Sequence, residues 1–397
     1  MKDTTAAVMA RYLEGEGVEY VFGVPGAHVL PFYDGLYRAT SIKPVLTKHE
    51  AGGAFLAYGY AAATGRLGVC CATVGPGATN AVTGVAAAHM DSVPVLVVTG
   101  QVGTKSFGRS AHQEATGHGR CVDQVALFRN VTKMSVMLTD KEMVSRTVRT
   151  ALRVAQSGRP GPVHLAFPSN IQLEKVEEDI LPPVAYRPLD SVSIPEPDTV
   201  ESLCGLLYEA ENPALLLGYG AARLACDPTL VDFVERLQIP VATSGKAKGI
   251  FPEDHPHSLG CLGLRGSKAA NTYLREGIDV LLVLGTDLSE MTSHAWDPKL
   301  TPSKALIQVD IDPNEIGKNF PVTVGVVADA AATVRALEIC LRARPPQPAR
   351  DLGAVKRATH HYEEDERFSD ALPMTPQRPI RDTRSPPPGV TEVFGAW

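Results

Sequence analysis

The feature that most constrains this fold is a series of short, continuously apolar runs. Tyr20–Val24, Pro44–Thr47, Val69–Thr73, Pro94–Thr99 and Val163–Ala166 alternate with stretches of helical composition near 4–16, 27–38, 50–64, 78–89 and 140–157. A run that is apolar at every position, not at every second one, describes a strand buried on both faces. Such strands belong to a parallel sheet with helices covering each side. Gly65 and Gly158 stand where left-handed helix stops are expected.

The pattern holds over residues 1–175 and returns over 199–345, with strands at Ala214–Leu217, Val241–Thr243, Val280–Leu284 and Leu306–Asp310. The expected fold class is α/β, with two doubly wound parallel-sheet domains. Between them, residues 176–198 carry Glu177, Glu178 and Asp179, then Pro182, Pro183, Pro188, Pro195 and Pro197, and read as an exposed linker. Residues 346–397 combine low apolar content with clustered proline, such as Pro386-Pro387-Pro388, and predict a poorly ordered tail.

Composition excludes several classes. A net charge of −6 without a long basic run gives no footprint for nucleic acid. Runs such as Val93–Val98 are too short to cross a bilayer, and the N-terminus lacks an apolar signal core, so no membrane role and a cytoplasmic location are expected. The seven cysteines show no CxxC spacing, which argues against zinc and against a disulfide framework.

Two segments carry the chemistry. Lys48-His49-Glu50-Ala51-Gly52-Gly53-Ala54 places one carboxylate at a strand end, opening a helix of very small residues. Each helix-interior glycine costs about 1 kcal/mol relative to alanine, a cost usually offset by close approach of another backbone. That backbone could belong to a second subunit or to the same domain. Gly75-Pro76-Gly77-Ala78-Thr79-Asn80 reads as a glycine-rich turn between a strand and a helix; without a following Lys-Ser or Lys-Thr it is not a Walker loop.

Further pieces fall in a fixed order: Val21-Phe22-Gly23-Val24-Pro25-Gly26, Gly100-Gln101-Val102, His112-Gln113-Glu114, Arg159-Pro160-Gly161-Pro162-Val163, Gly245 to Pro256 and Val309-Asp310-Ile311-Asp312-Pro313. Over roughly residues 1–345 this set resembles the thiamine-diphosphate enzymes, most closely the acetolactate-synthase large-subunit type. The resemblance implies a pyrimidine-binding first domain and a Rossmann-like central domain. It implies that Glu50 is the cofactor-activating acid, with Gln113 catalytic on the substrate side. Pro25 and Gly26, in the substrate-side turn, would contact the cofactor together with Pro76, Gly77 and Asn80.

The chemical logic is that a carboxyl bonded to the aminopyrimidine nitrogen promotes the imino form, whose base takes the thiazolium proton. A carboxyl among Ala51, Gly52, Gly53 and Ala54 is expected to be poorly solvated. The implied reaction is decarboxylation or carboligation of 2-oxo acids. Two departures touch substrate choice: His112 stands where the family usually has phenylalanine, and Gly103 where it has proline.

In this family a third domain holds magnesium and the diphosphate through a Gly-Asp-Gly or Gly-Asp-Ser turn and a later asparagine. That pattern does not occur here, although Met374-Thr375-Pro376-Gln377-Arg378 resembles its start. The expectation is a truncated member, inactive alone, with no metal ligands of its own. Mg2+ would enter only with a third domain on another chain, as partner or homo-oligomer. The alternative is a non-catalytic remnant that dimerises or binds a nucleotide. FAD is possible but less favoured: Gly218-Tyr219-Gly220 suggests a dinucleotide turn, yet Arg223 takes the third fingerprint position. Gly285-Thr286-Asp287-Leu288-Ser289-Glu290 also replaces the GARFDDR of flavin-binding members. A nicotinamide dehydrogenase would leave the first domain unexplained.

Overall fold

The computed structural model describes residues 2–187, 192–225, 227–353 and 355. These form two compact units, Met1–Ser191 and Val192–Trp397.

The first unit runs β1 (Lys2–Thr4), α1 (Thr5–Gly15), β2 (Tyr20–Gly23), α2 (Leu30–Ala39), β3 (Lys43–Leu46), α3 (Glu50–Thr64), β4 (Gly68–Ala72), α4 (Pro76–Met90) and β5 (Val95–Gln101). It continues through α5 (Gln124–Arg129), β6 (Met134–Met137), α6 (Val144–Gln156), β7 (Val163–Pro168), α7 (Ser169–Leu173) and β8 (Lys175–Glu177). Six strands form one parallel sheet in the order β3-β2-β4-β5-β7-β6. Every residue of β4 and β5 is buried, as their uninterrupted apolar sequences require.

Alternate residues of these strands face opposite helical layers. Val69, Cys71, Leu96, Val98, Leu165 and Phe167 enter one core. The apolar stripe of α6 (Val144, Val148, Ala151, Leu152, Ala155) closes that core at helical spacing. On the other face, α3 packs against β2, β4 and α4.

The element ends explain two departures from expectation. Helix α4 begins at Pro76, earlier than the residue 78 that the sequence suggests. Proline suits the first helical position because its missing N–H has no intrahelical partner there. Pro76 to Asn80 is therefore the opening of a helix, and the turn proper is Gly75. The stretch after residue 175 also carries more structure than a free linker. Strand β8 pairs antiparallel with β1, Glu178 meets Arg149 at 2.9 Å, and Arg187 meets Glu16 at 2.6 Å. Pro183 opens a short 3-10 turn, Pro183–Ala185, and the charged groups fasten this stretch to the first unit.

The second unit contains α8 (Pro197–Tyr208), β9 (Pro213–Leu217), α9 (Pro228–Leu237), β10 (Val241–Thr243), β11 (Ser258–Cys261), α10 (Lys268–Arg275), β12 (Val280–Leu284), β13 (Ala305–Asp310), β14 (Val324–Val327) and α11 (Ala330–Leu341). Its sheet is also all parallel, in the order β11-β10-β9-β12-β13-β14. Leu215, Leu217, Leu282 and Ile307 fill one face, and Leu216, Leu281, Val283 and Leu306 the other. The two doubly wound parallel-sheet domains expected from the sequence are both present.

The predicted tail is structured at its start: Gln347 N–H donates to the Arg236 carbonyl at 2.9 Å, and Leu352 is buried. Its remainder from residue 356, including Met374–Arg378, lies outside the described residues. Among the described residues, no helix is long and apolar enough to cross a membrane.

Candidate active site

In the first sheet the chain passes from β2 outward to β3, then returns to the opposite side of β2 as β4. The connections after β2 and β4 therefore diverge. Such a reversal opens a crevice at the strands' carboxyl ends, where open α/β sheets take ligands. Three of the singled-out segments meet there: the Pro25–Gly26 turn after β2, Gly75–Asn80 after β4, and Glu50, which opens the helix following β3.

Glu50 is the first residue of α3 and is half-buried. His49 caps the helix, its Nδ1 accepting from Ala51 N–H at 3.1 Å. Asn80, in the second turn of α4, donates from Nδ2 to Glu50 Oε2 at 2.9 Å. A β-carbon on Gly77 would lie 3.2 Å from Glu50 Oε1 and 2.8 Å from Thr73 Cγ2. The missing side chain thus lets Thr73 and the carboxylate oxygen that Asn80 leaves free come close to the backbone of α4.

Gly26 belongs to the same surface, since its β-carbon would meet Thr73 Cβ at 2.6 Å. Gln113 approaches from another loop. Gly75 sits at φ +64°, and a β-carbon there would lie 3.0 Å from the Gln113 carbonyl oxygen. Gln113 is itself in the left-handed region at φ 62°, a conformation that surrounding contacts must impose. Those contacts are present. Buried Gln101 donates to Ala115 O at 2.9 Å and accepts from Ala115 N–H at 3.3 Å. Glu114 accepts from Thr116 Oγ1 at 2.6 Å and Gly108 N–H at 2.5 Å. The Thr116 hydroxyl, followed by the Gly108 amide, holds the Glu114 carboxyl below its ordinary range. Glu114 is therefore a loop anchor.

Glu50, Gly77 and Asn80 are thus in direct contact distance, with Gly26 reaching them through Thr73 and Gln113 through Gly75. Pro25 and Pro76 are exposed. Sequence reasoning passed over Thr73, whose Oγ1 is buried without a hydrogen-bond partner among the described residues. It ends an apolar run and reads as a strand residue; its placement before Gly75 is the clue that was available. His28 was missed likewise, and its Nδ1 is also buried and unpartnered.

Packing within the domain accounts for one of the small-residue helix's glycines. A β-carbon on Gly53 would lie 3.0 Å from Gly23 Cα, so this glycine serves packing within the domain. A β-carbon added at Gly52 or Gly59 would meet nothing within 4 Å outside its own stretch of helix backbone. They share an exposed face with Phe55 and Leu56, which are 44% and 48% exposed. Glu50 stands at helical spacing with the buried Gly53, Ala54 and Ala57, yet it is only half-buried, less enclosed than the run of small residues suggested.

The second sheet has its own reversal, between β9 and β12. There the turns press together: Gly220 N–H donates to the Gly285 carbonyl at 3.0 Å, and a β-carbon on Gly218 would lie 2.1 Å from that same oxygen. The Gly218–Gly220 pair serves this contact between loops. Among the described residues no cluster of three or more His, Cys, Asp or Glu is placed to hold a metal ion.

Comparison with known proteins settles the family. Residues 3–127 match the N-terminal TPP binding domain of thiamine pyrophosphate enzymes, and residues 200–337 match their central domain. The chain belongs to the thiamine pyrophosphate enzyme family. It is 39% identical over 344 residues to a probable acetolactate synthase large subunit of Methanocaldococcus jannaschii, covering 85% of this chain and 56% of that protein. It is 38% identical over 330 residues to the acetolactate synthase large subunit of Corynebacterium glutamicum, covering 82% and 51%. An acetolactate synthase of Arthrospira platensis is 38% identical over 337 residues, covering 82% and 56%. The chain spans about half the length of these curated relatives.

Proposed function

We propose that this chain supplies the pyrimidine-binding half of a thiamine-diphosphate site acting on 2-oxo acids, in a cytoplasmic enzyme of the acetolactate-synthase type. The observation that carries the reading is the Asn80–Glu50 contact of 2.9 Å beside a residue without a β-carbon. The groups present suit an aminopyrimidine: a carboxyl with one oxygen unengaged by Asn80, and a buried Thr73 hydroxyl without a partner among the described residues, both close against Gly77.

Bound there, the cofactor would supply the electron sink that lets a 2-oxo acid lose carbon dioxide. The protein's own residues act around it. The oxygen of Glu50 that Asn80 leaves free would be the atom that holds a proton toward the ring nitrogen. Asn80 fixes the carboxylate plane. Gln113, with Pro25 and Gly26, faces the substrate. We assign the diphosphate and Mg2+ to a separate domain, in the same polypeptide or another. The exposed face of α3 and α4 is the natural place for a second subunit, which would complete the enclosure of Glu50.

The test is pyruvate turnover with the diphosphate-binding domain supplied. Glu50→Gln is expected to lower turnover at least ~100-fold, the scale of a lost general acid–base group. Turnover within a few-fold of the native protein would contradict the proposal.

A further inference from the structure

His28 follows the Pro25–Gly26–Ala27 turn and lies in a short 3-10 segment, Ala27–Val29. Its backbone is clamped. The carbonyl accepts from Gln172 Nε2 at 2.7 Å, and a β-carbon on Gly100 would lie 2.8 Å from both the His28 oxygen and its Cβ. Any non-glycine residue at 100 would displace this turn.

The ring is half-buried, and its two nitrogens are not equivalent. Nδ1 is sealed from solvent and has no hydrogen-bond partner among the described residues. A buried N–H with no acceptor is costlier, and rarer in folded proteins, than an acceptor with no donor. Nδ1 is therefore the lone-pair nitrogen, and the proton sits on Nε2. A second proton would put an N–H on Nδ1 with nothing to receive it. Burial, reinforced by nearby His112, holds His28 below the ordinary imidazole range. His112 is exposed in the loop that also presents Gln113.

The structure assigns His28 as a neutral Nε2–H donor to the carbonyl oxygen of a small 2-oxo acid or aldehyde, with His112 beside it as a second polar wall. A neutral donor suits this task because it polarises a carbonyl without adding a charge to the crevice. No proton is transferred. The hydrogen bond strengthens as negative charge gathers on the oxygen, so the pair selects polar carbonyl substrates over apolar ones. The substrate class rests on the function proposed above; the tautomer does not.

The experiment uses the full chain with 15N-labelled histidine, and His28→Phe and His112→Phe to assign the signals. Two-bond proton–nitrogen couplings read which nitrogen is protonated. Nε2–H at neutral pH is expected for His28, and a proton on Nδ1 overturns the inference. In the cofactor-loaded enzyme, with its diphosphate-binding domain supplied, pyruvate is the probe. It should shift the His28 Nε2 signal, and a signal that pyruvate leaves unmoved overturns the inference. His28→Phe should raise KM for pyruvate roughly tenfold while proton exchange at the cofactor's thiazolium carbon is retained, and His28→Asn should recover part of that loss. An unchanged KM in His28→Phe overturns it. Exchange that is insensitive to Glu50→Gln would instead sink the cofactor reading, and the tautomer would still decide the His28 assignment.

Discussion

At the scale of single residues, the site depends on what is missing as much as on what is present. Gly77 lets Thr73 and Glu50 approach the α4 backbone, and Gly75 permits an approach by the Gln113 backbone that a side chain would block. Asn80→Ala removes the 2.9 Å contact that orients the carboxylate. Turnover is expected to fall about tenfold with little change in stability, measured by steady-state kinetics and urea unfolding. An unaffected rate would show that the Asn80 contact does not orient the reacting carboxyl. Gly75→Ala is expected to destabilise the fold by roughly 1–3 kcal/mol, because φ +64° and the Gln113 oxygen both oppose a side chain. Denaturant midpoints read this directly.

A residue away from the site sets a pH limit. His164 is fully buried, held between Thr99 Oγ1 and Ser135 Oγ at 2.8 Å each and stacked on Phe128. Burial pushes its imidazole down to about 3. An unfolded imidazole titrates near about 6.5, so between these values the unfolded chain binds a proton that the folded chain refuses. Stability from this group is full above about 6.5 and is lost as pH falls toward 3, on the order of 1 kcal/mol per pH unit. Unfolding midpoints at pH 7 and pH 5 should show the loss, and His164→Gln should flatten it. Equal slopes in both proteins would contradict this account.

At the scale of elements, α3 is a helix with two faces and two uses. Gly53 and Ala54 pack inward, whereas Gly52, Phe55, Leu56 and Gly59 look outward. Because a β-carbon added at Gly52 or Gly59 would meet nothing within 4 Å outside its own stretch of helix backbone, alanine at either position should stabilise the isolated chain by about 0.5–1 kcal/mol. If a second subunit seats on this face, the same substitutions weaken self-association. Sedimentation velocity alongside urea unfolding reads both effects; stabilised variants with unchanged association would exclude this face as the interface.

How far the sequence was legible also varies by element. Strands β4 and β5 were readable because burial on both faces leaves every position apolar. Strand β6 was not: Met134–Met137 is half-buried throughout and gives no clear period. The start of α4 was misplaced because Gly-Pro-Gly resembles a turn, although proline in fact opens the helix. Glu50, Gly77 and Asn80 were found through resemblance. Thr73 and His28 escaped because their distinction is an unpartnered buried atom, which no spacing encodes.

At the scale of the whole molecule, two parallel sheets present two reversals with different fates. One brings Glu50, Thr73, Gly77 and Asn80 together, at the place where open α/β sheets take ligands; at the other, Gly220 and Gly285 press together. On the proposed function, the first unit contributes only a ring-sized contact to the cofactor. Residues 1–397 by themselves are therefore expected to bind thiamine diphosphate with Mg2+ far more weakly than micromolar, since a diphosphate needs a cation and aligned donors to leave water. Calorimetric titration checks this, and micromolar binding would mean that these residues hold the diphosphate as well.

The most direct measurement is hydrogen–deuterium exchange at the thiazolium carbon, followed by NMR after acid quench, in the completed enzyme loaded with thiamine diphosphate. If Glu50 activates the cofactor, Glu50→Gln slows this exchange at least ~100-fold while cofactor remains bound. Equal exchange rates in the two proteins, at matched cofactor occupancy, would contradict the account.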